Sequence, residues 1–370
     1  MKNKEKIKQK LLDRFKPYGF NNFIEKNQLG NYLWSYILQY NQLEKFQLTE
    51  QEFDCLLENS DLKQQDNYGL NFFMNALQND YKQNLNFTKK QWDYLIENSD
   101  LKQQDKERSN ILKYFLFNQK EQKTNFTKKQ IDTLLKNSDL QQQDRYGSNF
   151  LILVLGTQKE KFSLTEDQWD YLIKNSRLKQ QDKNGLCSLM YIIKYYQNNN
   201  FKPKEKQWDY LIKNSNLKQQ AKNSWNIFIF ALENKIPLNE KQWNYLIKYT
   251  DLKQKDKFGW NPFLFAIQNE YKNTNFHKEH FLQLWNSLDE VEKQKTLKII
   301  VEESKIFKLK QQNVLFLLYD MKFQPIQETI DWLKEKKEEE ILQMIEKRDV
   351  LFKLNENLSI NSIEKNMVKI

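Results

Sequence analysis

Histidine, cysteine, paired carboxylates and glycine-rich loops are the usual carriers of chemistry. This chain of 370 residues has two histidines, two cysteines and seven glycines. His277 and His280 stand three apart at the start of an expected helix, with no cysteine nearby. Two imidazoles alone make a poor metal site. A Ser-His or Cys-His nucleophile pair would have to form at this one place, where no nucleophile is close in sequence. No glycines fall in the G-x-G or G-K-[ST] spacing of a phosphate-cradling loop. Asp182-Lys-Asn-Gly185 superficially matches a calcium loop, but the alternating oxygen ligands and closing Glu are absent. Cys55 and Cys187 occupy different places in the repeat described below, so a built-in disulfide is not expected, and two cysteines fit a reducing compartment. The expectation is therefore no catalytic site, no cofactor and no metal.

The carboxylates that remain recur in register, because the chain is organised around one repeated phrase. Its clearest copy runs Phe87-Thr-Lys-Lys-Gln-Trp-Asp-Tyr-Leu-Ile-Glu-Asn-Ser-Asp-Leu-Lys-Gln-Gln-Asp105, and others end at Asp66, Asp144, Asp182, Ala221 and Asp256. The steps are 39, 39, 38, 39 and 35 residues. A fixed period of this size marks a solenoid, in which each unit buries its apolar face only against its neighbours.

The phrase predicts a helix start. Thr88 with Gln91 fits a capping box, as do Thr49/Glu52, Thr127/Gln130, Thr165/Gln168 and Asn239/Gln242. Apolar staple pairs flank each one: Leu48/Phe53, Phe87/Trp92, Phe126/Ile131, Leu164/Trp169 and Leu238/Trp243. The copy at Pro203-Lys204 breaks the pattern. Trp92, Leu95 and Ile96 share a helix face, and Asn98-Ser99-Asp100 ends the helix. A turn follows: Asp66/Gly69, Asp144/Gly147, Asp182/Gly185 and Asp256/Gly259 place Asp first and Gly fourth, as a type I turn prefers. Arg108 and Ser224 hold the Gly place in two copies. Asn71, Asn110, Asn149, Asn226 and Asn261 then cap a second, strongly apolar helix, with Pro262 at its first position. Cys187 holds the Asn place in the remaining copy.

The run Leu56-Leu-Glu-Asn-Ser-Asp-Leu-Lys-Gln-Gln-Asp66-Asn-Tyr-Gly69-Leu-Asn71-Phe-Phe-Met-Asn-Ala76 resembles the ankyrin repeat, with Ala76, Ala231 and Ala266 at the family's small inner position. The resemblance covers about residues 45 to 288. It departs from the family in three ways. The Thr-Pro-Leu-His start is absent, Asn261-Pro-Phe-Leu264 coming nearest, and Ser99 and its equivalents replace the Gly that ends the second helix. The repeat is also about five residues longer than the usual 33 or so, the extra residues being expected around Gln78 to Asn86.

The resemblance implies an all-α solenoid and a partner surface made of turn tips and the exposed side of the first helices. The tips differ between copies: Asn67/Tyr68, Lys106/Glu107, Arg145/Tyr146, Lys183/Asn184, Lys222/Asn223 and Lys257/Phe258. Variation on a constant frame fits recognition, and equally drift at exposed sites. Beside the tips, Lys63, Lys102, Lys179, Lys218 and Lys253 adjoin Gln pairs 64/65, 103/104, 142/143, 180/181 and 219/220. Two readings of this Lys/Gln stripe stay open: glutamines bridging neighbouring links, or part of a surface for an acidic partner. The tyrosines 94, 171, 210 and 245 on the phrase helix are expected to pack between repeats rather than form a binding ladder.

Composition sets the outer bounds. Aromatic residues make up 14% of the chain, so Phe, Tyr and Trp carry much of the packing. The net charge is +10, and 34 basic against 24 acidic residues fall in 66–288. The longest apolar run, Phe150-Leu-Ile-Leu-Val-Leu155, is far short of a membrane span, and Leu11-Leu12 followed by Asp13-Arg14 makes no secretory signal. The expected organisation is an N-terminal helical cap at 1–28, with Ile7, Leu11, Leu12 and Phe15 on one face and a turn at Lys16 to Gly19. A repeat array follows at 29–288, its degenerate first unit starting at Gly30 and later units near 66, 105, 144, 182, 221 and 256, then an all-helical C-terminal cap at 289–370. The functional expectation is a monomeric, cytoplasmic, non-catalytic protein-interaction scaffold. The wealth of Lys, Asn, Ile, Phe and Tyr fits an AT-rich genome and thus a host-associated bacterium, whose scaffold would reach a host protein by a non-classical route. The alternative is a nucleic-acid-binding helical-repeat protein using the basic surface.

Overall fold

The structure, a computed structural model, describes residues 2–40, 43, 46–83, 85, 87–120, 126–156, 163–197, 201–268, 275–303 and 307–367. It is all-α, with isolated β-bridges such as Gln104 to Asn110 and no strand among the described residues. No described helix is long and apolar enough to cross a membrane. The chain divides into two compact units, Met1–Asn216 and Leu217–Ile370.

The first unit contains α1 (Lys2–Phe15), a 3-10 turn at Lys16–Tyr18, α2 (Leu33–Tyr40), α3 (Glu50–Asn59), α4 (Phe72–Gln83), α5 (Lys89–Asn98), α6 (Ile111–Lys120), α7 (Lys128–Asn137), α8 (Phe150–Gly156), α9 (Glu166–Asn175), α10 (Ser188–Lys194) and α11 (Glu205–Asn214). It is a helical-repeat solenoid of two rows. The apolar helices α2, α4, α6, α8 and α10 pack in sequence as an inner row, and α1, α3, α5, α7 and α9 form the outer row. The inner helices are buried almost all round: Phe150, Leu151, Ile152, Val154 and Leu155 of α8 are all in the core. The outer helices bury one stripe, such as Trp92, Leu95 and Ile96 of α5.

The capping boxes form as the spacing predicts. Thr88 Oγ1 accepts from Gln91 N, and Gln91 Oε1 accepts from Thr88 N at 2.9 Å, the same pairing recurring at α3, α7 and α9. Each cap contributes roughly 1 kcal/mol. At α11 only half the box survives: Gln207 Oε1 accepts from Lys204 N at 2.9 Å, since a lysine side chain has no acceptor to return. The staples also join repeats, because the aromatic ahead of one cap lies on the previous repeat's staple residue. Phe87 meets Phe53 at 4.8 Å between ring centroids, and Phe126 meets Trp92 at 5.3 Å.

Two expectations need adjusting. The first repeat does not open at Gly30 but at a full turn from Asn27: Gly30 N donates to Asn27 O, and Asn27 Oδ1 accepts from Leu29 N and Asn31 N, as Asp66 does in the next copy. Helix α1 then holds the place of an outer helix ahead of that turn. The extra residues of the repeat partly lengthen the inner helix, α4 having 12 residues and α6 ten against seven in α8 and α10. The rest of that connection, including 84 and 86, lies outside the described residues.

The second unit contains α12 (Ile227–Glu233), α13 (Glu240–Tyr249), α14 (Pro262–Gln268), α15 (Lys278–Asn286), α16 (Glu290–Glu303), α17 (Phe307–Leu315) with a π-helical turn at Phe316–Asp320, α18 (Gln327–Glu335) and α19 (Glu339–Met367). Its repeats use the same parts. Asn239 Oδ1 caps α13 through Gln242 N at 2.9 Å, and Asn226 Oδ1 caps α12 through Ile229 N at 2.9 Å. After α15 the phrase is gone but the packing continues. Asn261 donates to Thr296 Oγ1 of α16, where earlier cap asparagines reach the following repeat, and Trp285 meets Phe323 at 5.2 Å. Residues 351–367 continue α19.

Candidate interaction surface

Each tip is a rigid turn. Asp66 Oδ1 accepts from Tyr68 N and Leu70 N at 2.8 and 2.9 Å, and Asp144, Asp182 and Asp256 repeat this pair of bonds. The fourth turn residue lies in the left-handed region throughout, including the non-glycines Arg108 (φ 60°) and Ser224 (φ 65°). The other Asp oxygen is taken nine residues on, in the inner helix: Asp66 by Asn75 (3.1 Å), Asp105 by the Tyr114 hydroxyl (2.5 Å) and Asp182 by the Tyr191 hydroxyl (2.8 Å). Burial and the neighbouring carboxylate push both phenols up, so they stay protonated donors.

In the first unit these turns form a row. Lys106 N donates to Tyr68 O at 3.1 Å and Lys183 N to Tyr146 O at 2.8 Å. Arg145 pairs with Glu107, and Lys26 Nζ reaches Asn67 Oδ1 at 3.3 Å. The row thus brings together Asn67, Tyr68, Lys106, Arg145, Tyr146, Lys183 and Asn184. Tyr68 is 70% exposed and Tyr146 49%. The Tyr146 ring is flanked by cations: Arg145 at 4.8 Å from the centroid, Lys183 at 5.8 Å and Lys113 at 5.9 Å, with Arg145 also donating to the phenol oxygen at 2.7 Å. Asn184 folds back on Asp182 at 3.3 Å. The other three predicted tip residues belong to the second unit. There Phe258 is 72% exposed under Lys257 at 4.8 Å, and Lys222 is exposed beside Asn223.

Sequence reasoning missed part of this surface. Leu29, at the third position of the Asn27 turn (the second tip position), is 76% exposed, and its signal was the spacing of 39 from Gly30 to Gly69. On the inner row Phe117 is 45% exposed, and Tyr114, Leu153, Tyr191 and Tyr195 are half-buried. They sit four or more residues after the cap asparagine or Cys187, a register readable only once the inner helices are placed.

The Gln half of the Lys/Gln stripe is structural. Gln65 Nε2 donates to Gln104 O at 2.9 Å in the next link and Gln104 Nε2 to Gln143 O at 3.1 Å. Gln103 donates back to Lys63 O and accepts from Asn71 Nδ2. Lys63, Lys102 and Lys179 remain exposed, so the cationic half faces solvent. Asp61, Asp100 and Asp139 beside them cap backbone N–H groups two residues on. A shallow pocket of about 220 Å³ between α3 and α5 holds Asp54, Glu58, Asp93 and Glu97 around Tyr94, but Asp54 and Asp93 are engaged by Gln91 and Gln130.

The residues first considered for chemistry have structural work. His280 is buried, and its Nδ1 accepts from His277 N at 2.8 Å, taking the place of the usual capping Gln. Cys187 begins α10 with its thiol buried, and burial pushes it up to about 11. Cys55 is also buried and raised by desolvation, so neither is an activated thiolate.

No family model matches the chain, and no curated protein does. Among solved structures it is similar to the ankyrin repeat domain of Bcl-3, a member of the IkappaB protein family, at 12% identity and a TM-score of 0.38, over 65% of this chain and 95% of that one. It is also similar to a structure of a predatory endopeptidase from Bdellovibrio bacteriovorus in complex with an immunity protein, at 15% identity and a TM-score of 0.29, over 71% of this chain and 99% of that one. The geometry of the units decides their kind: a left-handed turn closed by Asp, a capped inner helix with a small buried residue (Ala76, Ala231, Ala266), and an outer helix ending in a polar link. The repeats are ankyrin-like. In this ankyrin-like frame the tips are held by backbone bonds, and Tyr68, Tyr146 and Phe258 stay exposed on them.

Proposed function

We propose that this chain is a protein-interaction scaffold without catalytic activity, which offers its turn tips to a partner protein. One observation carries the reading: at four of the seven tips the second position holds a large, mainly apolar and exposed side chain, Glu107, Asn184 and Asn223 standing at the other three. In the first unit these are Leu29 (76%), Tyr68 (70%) and Tyr146 (49%), and in the second Phe258 (72%). Tyr and Arg on a preorganised surface are the residues that dominate binding energy at protein interfaces, and exposed apolar groups in a row mark such surfaces. The capping role of His280 and the raised thiols support a non-catalytic reading. In this reading the chain is a monomeric cytoplasmic effector with 289–370 as its C-terminal cap, the residue usage supporting a host-associated bacterium and the two cysteines a reducing compartment.

An affinity pull-down from nuclease-treated bacterial and host lysates tests this. The control is the chain with Tyr68, Arg145, Tyr146 and Phe258 changed to Ala. A protein held by the wild type and lost with the variant is the expected result. Recovery of nucleic acid alone, and only when nuclease is omitted, would overturn it in favour of the basic surface.

A further inference from the structure

Resting on the scaffold reading, we infer the chemistry of the partner: the first unit's tip row takes an extended protein segment that is apolar at one end and acidic at the other. The row is polarised along its length. Its first two tips present Leu29 and Tyr68, and Lys26 beside them is tied to Asn67. The next three present Lys106, Arg145 with Tyr146, and Lys183. Glu107 is the one exposed acid at these last three tips, and it pairs with Arg145, while Asp105 and Asp182 are buried at the turn bases under the Tyr114 and Tyr191 hydroxyls. Lys106 and Lys183 have no carboxylate within ion-pair distance among the described residues, and Lys183 lies over Tyr146 instead. Asp144 below the row is buried and held by Lys113 at 3.0 Å, so its charge is compensated.

The row has the length of a short extended chain. Adjacent packed helices are about 8–10 Å apart, so five tips span about 40 Å. An extended chain advances about 3.3 Å per residue, giving a ligand of roughly 12 residues, or about three per step between tips. An apolar side chain of the ligand would lie between Leu29 and Tyr68, and carboxylates at Lys106 and Lys183, on either side of the Arg145–Glu107 pair. The cations around Tyr146 make that ring's surroundings positive, so the aromatic contact and the acidic contact coincide there. A nucleic acid would need phosphate contacts along the whole row, and at the Leu29–Tyr68 end Lys26, already bonded to Asn67, is the one cation beside the tips among the described residues.

Selection of a displayed library of random 12-residue peptides on the full chain tests the inference. Enriched peptides should carry at least two Asp or Glu toward one end and an aromatic or aliphatic residue toward the other. For a synthetic peptide of that kind, Glu→Gln replacement, or Lys106→Glu with Lys183→Glu in the protein, should weaken binding about tenfold, with a marked loss at high salt. Thermal melting confirms that these exposed substitutions leave the fold intact. Peptides that depend on Tyr68 and Tyr146 but carry no acids would overturn this inference and leave the scaffold reading standing. Peptides indifferent to the tips, or no enrichment, would overturn both. A fluorescent 12-nucleotide single-stranded DNA that binds more tightly than the peptides, and is lost in the lysine variant, would assign the row to nucleic acid and overturn the inference.

Discussion

Gln91 joins two repeats with one side chain: its Oε1 accepts from Thr88 N at 2.9 Å, and its Nε2 donates to Asp54 Oδ1 of the preceding outer helix at 2.8 Å. Gln130 with Asp93, Gln168 with Asp132 and Gln207 with Asp170 repeat the bridge at 2.8, 2.7 and 2.6 Å. At the first repeat the polarity is reversed. The cap residue there is Glu52, and Arg14 of α1 stands opposite at 3.6 Å. Gln91→Glu should therefore set a buried carboxylate against Asp54 and destabilise the fold by roughly 2–3 kcal/mol at neutral pH. Adding Asp54→Asn should restore most of that, because the Asn amide can donate. Urea unfolding of the two single variants and the double variant measures the coupling; additive losses would dismiss the bridge.

These bridges show where sequence reasoning stops. The caps and turns are legible because each depends on residues within four positions of one another, and the period because whole phrases recur. Thr88 and Gln91 account for each other locally, so nothing in the sequence called for Asp54, 37 residues away. Asp93 and its equivalents recur in register in the sequence, but nothing local ties them to the cap of the next repeat. The Asn27 turn was hidden because Asn replaces the diagnostic Asp. The tips were legible as positions, but the exposure of Leu29, and of Phe117 on the inner row, follows only from the stacking of helices.

The turn glycines are not equivalent. A Cβ on Gly69 would lie 2.8 Å from Lys106 N and 3.0 Å from Asp105 Cα, backbone atoms of the next tip, whereas a Cβ on Gly259 would meet nothing within 4 Å. Both have φ above +80°. Gly259→Ala should cost about 1 kcal/mol for the left-handed backbone alone, and Gly69→Ala about 2–4 kcal/mol because the tip contact must also open. Conversely Arg108→Gly, relieving φ 60°, should stabilise the chain by roughly 0.5–1 kcal/mol. Chemical denaturation of the three variants checks the order.

Lys113 compensates for a missing tyrosine. Leu153 stands nine residues after Asp144, where Tyr114 and Tyr191 serve Asp105 and Asp182, and leucine cannot donate. Lys113 reaches across from the previous repeat to Asp144 Oδ2 at 3.0 Å, with 16% of the lysine side chain and 4% of the carboxylate exposed. Lys113→Met should leave the buried carboxylate short of a partner and cost roughly 2–4 kcal/mol. Leu153→Tyr in that background should recover a large part by supplying the hydroxyl donor found in the neighbouring copies. A failure of the second change to raise the melting temperature would show that charge rather than hydrogen bonding is what Asp144 requires.

The C-terminal helices complete the second unit. Phe281 and Trp285 of α15 are buried, and they meet Phe316 at 5.3 Å and Phe323 at 5.2 Å. Lys255 also pairs with Glu292 of α16 at 2.6 Å. Ending the chain at 288 should uncover these rings and cause aggregation, seen as loss of the monomer peak in size-exclusion chromatography with light scattering. A soluble, cooperatively melting 1–288 fragment would refute a capping role for 289–370.

His280 should make the second unit sensitive to mild acid. Its Nδ1 accepts from His277 N at 2.8 Å, and its ring stacks on Phe276 at 4.9 Å. Burial, then the neighbouring His277, holds it below the ordinary histidine value of 6.5, while Glu240 and Glu279 act weakly the other way. Because the folded value lies below the unfolded one, the neutral ring's contribution is complete above about pH 6.5 and is lost as the pH falls through the folded value. Protonation would also replace the Nδ1 acceptor with a donor aimed at a donor. His280→Gln installs the residue that Gln91, Gln130, Gln168, Gln207 and Gln242 supply at this place. It should keep the stability seen at pH 7.5 and flatten its decline below pH 6.5, where one proton can contribute a slope of at most about 1.4 kcal/mol per pH unit. Thermal melts of wild type and variant from pH 7.5 to 5 decide the matter. Parallel declines would place the acid sensitivity elsewhere, and a flat variant against a falling wild type would locate it in this one cap.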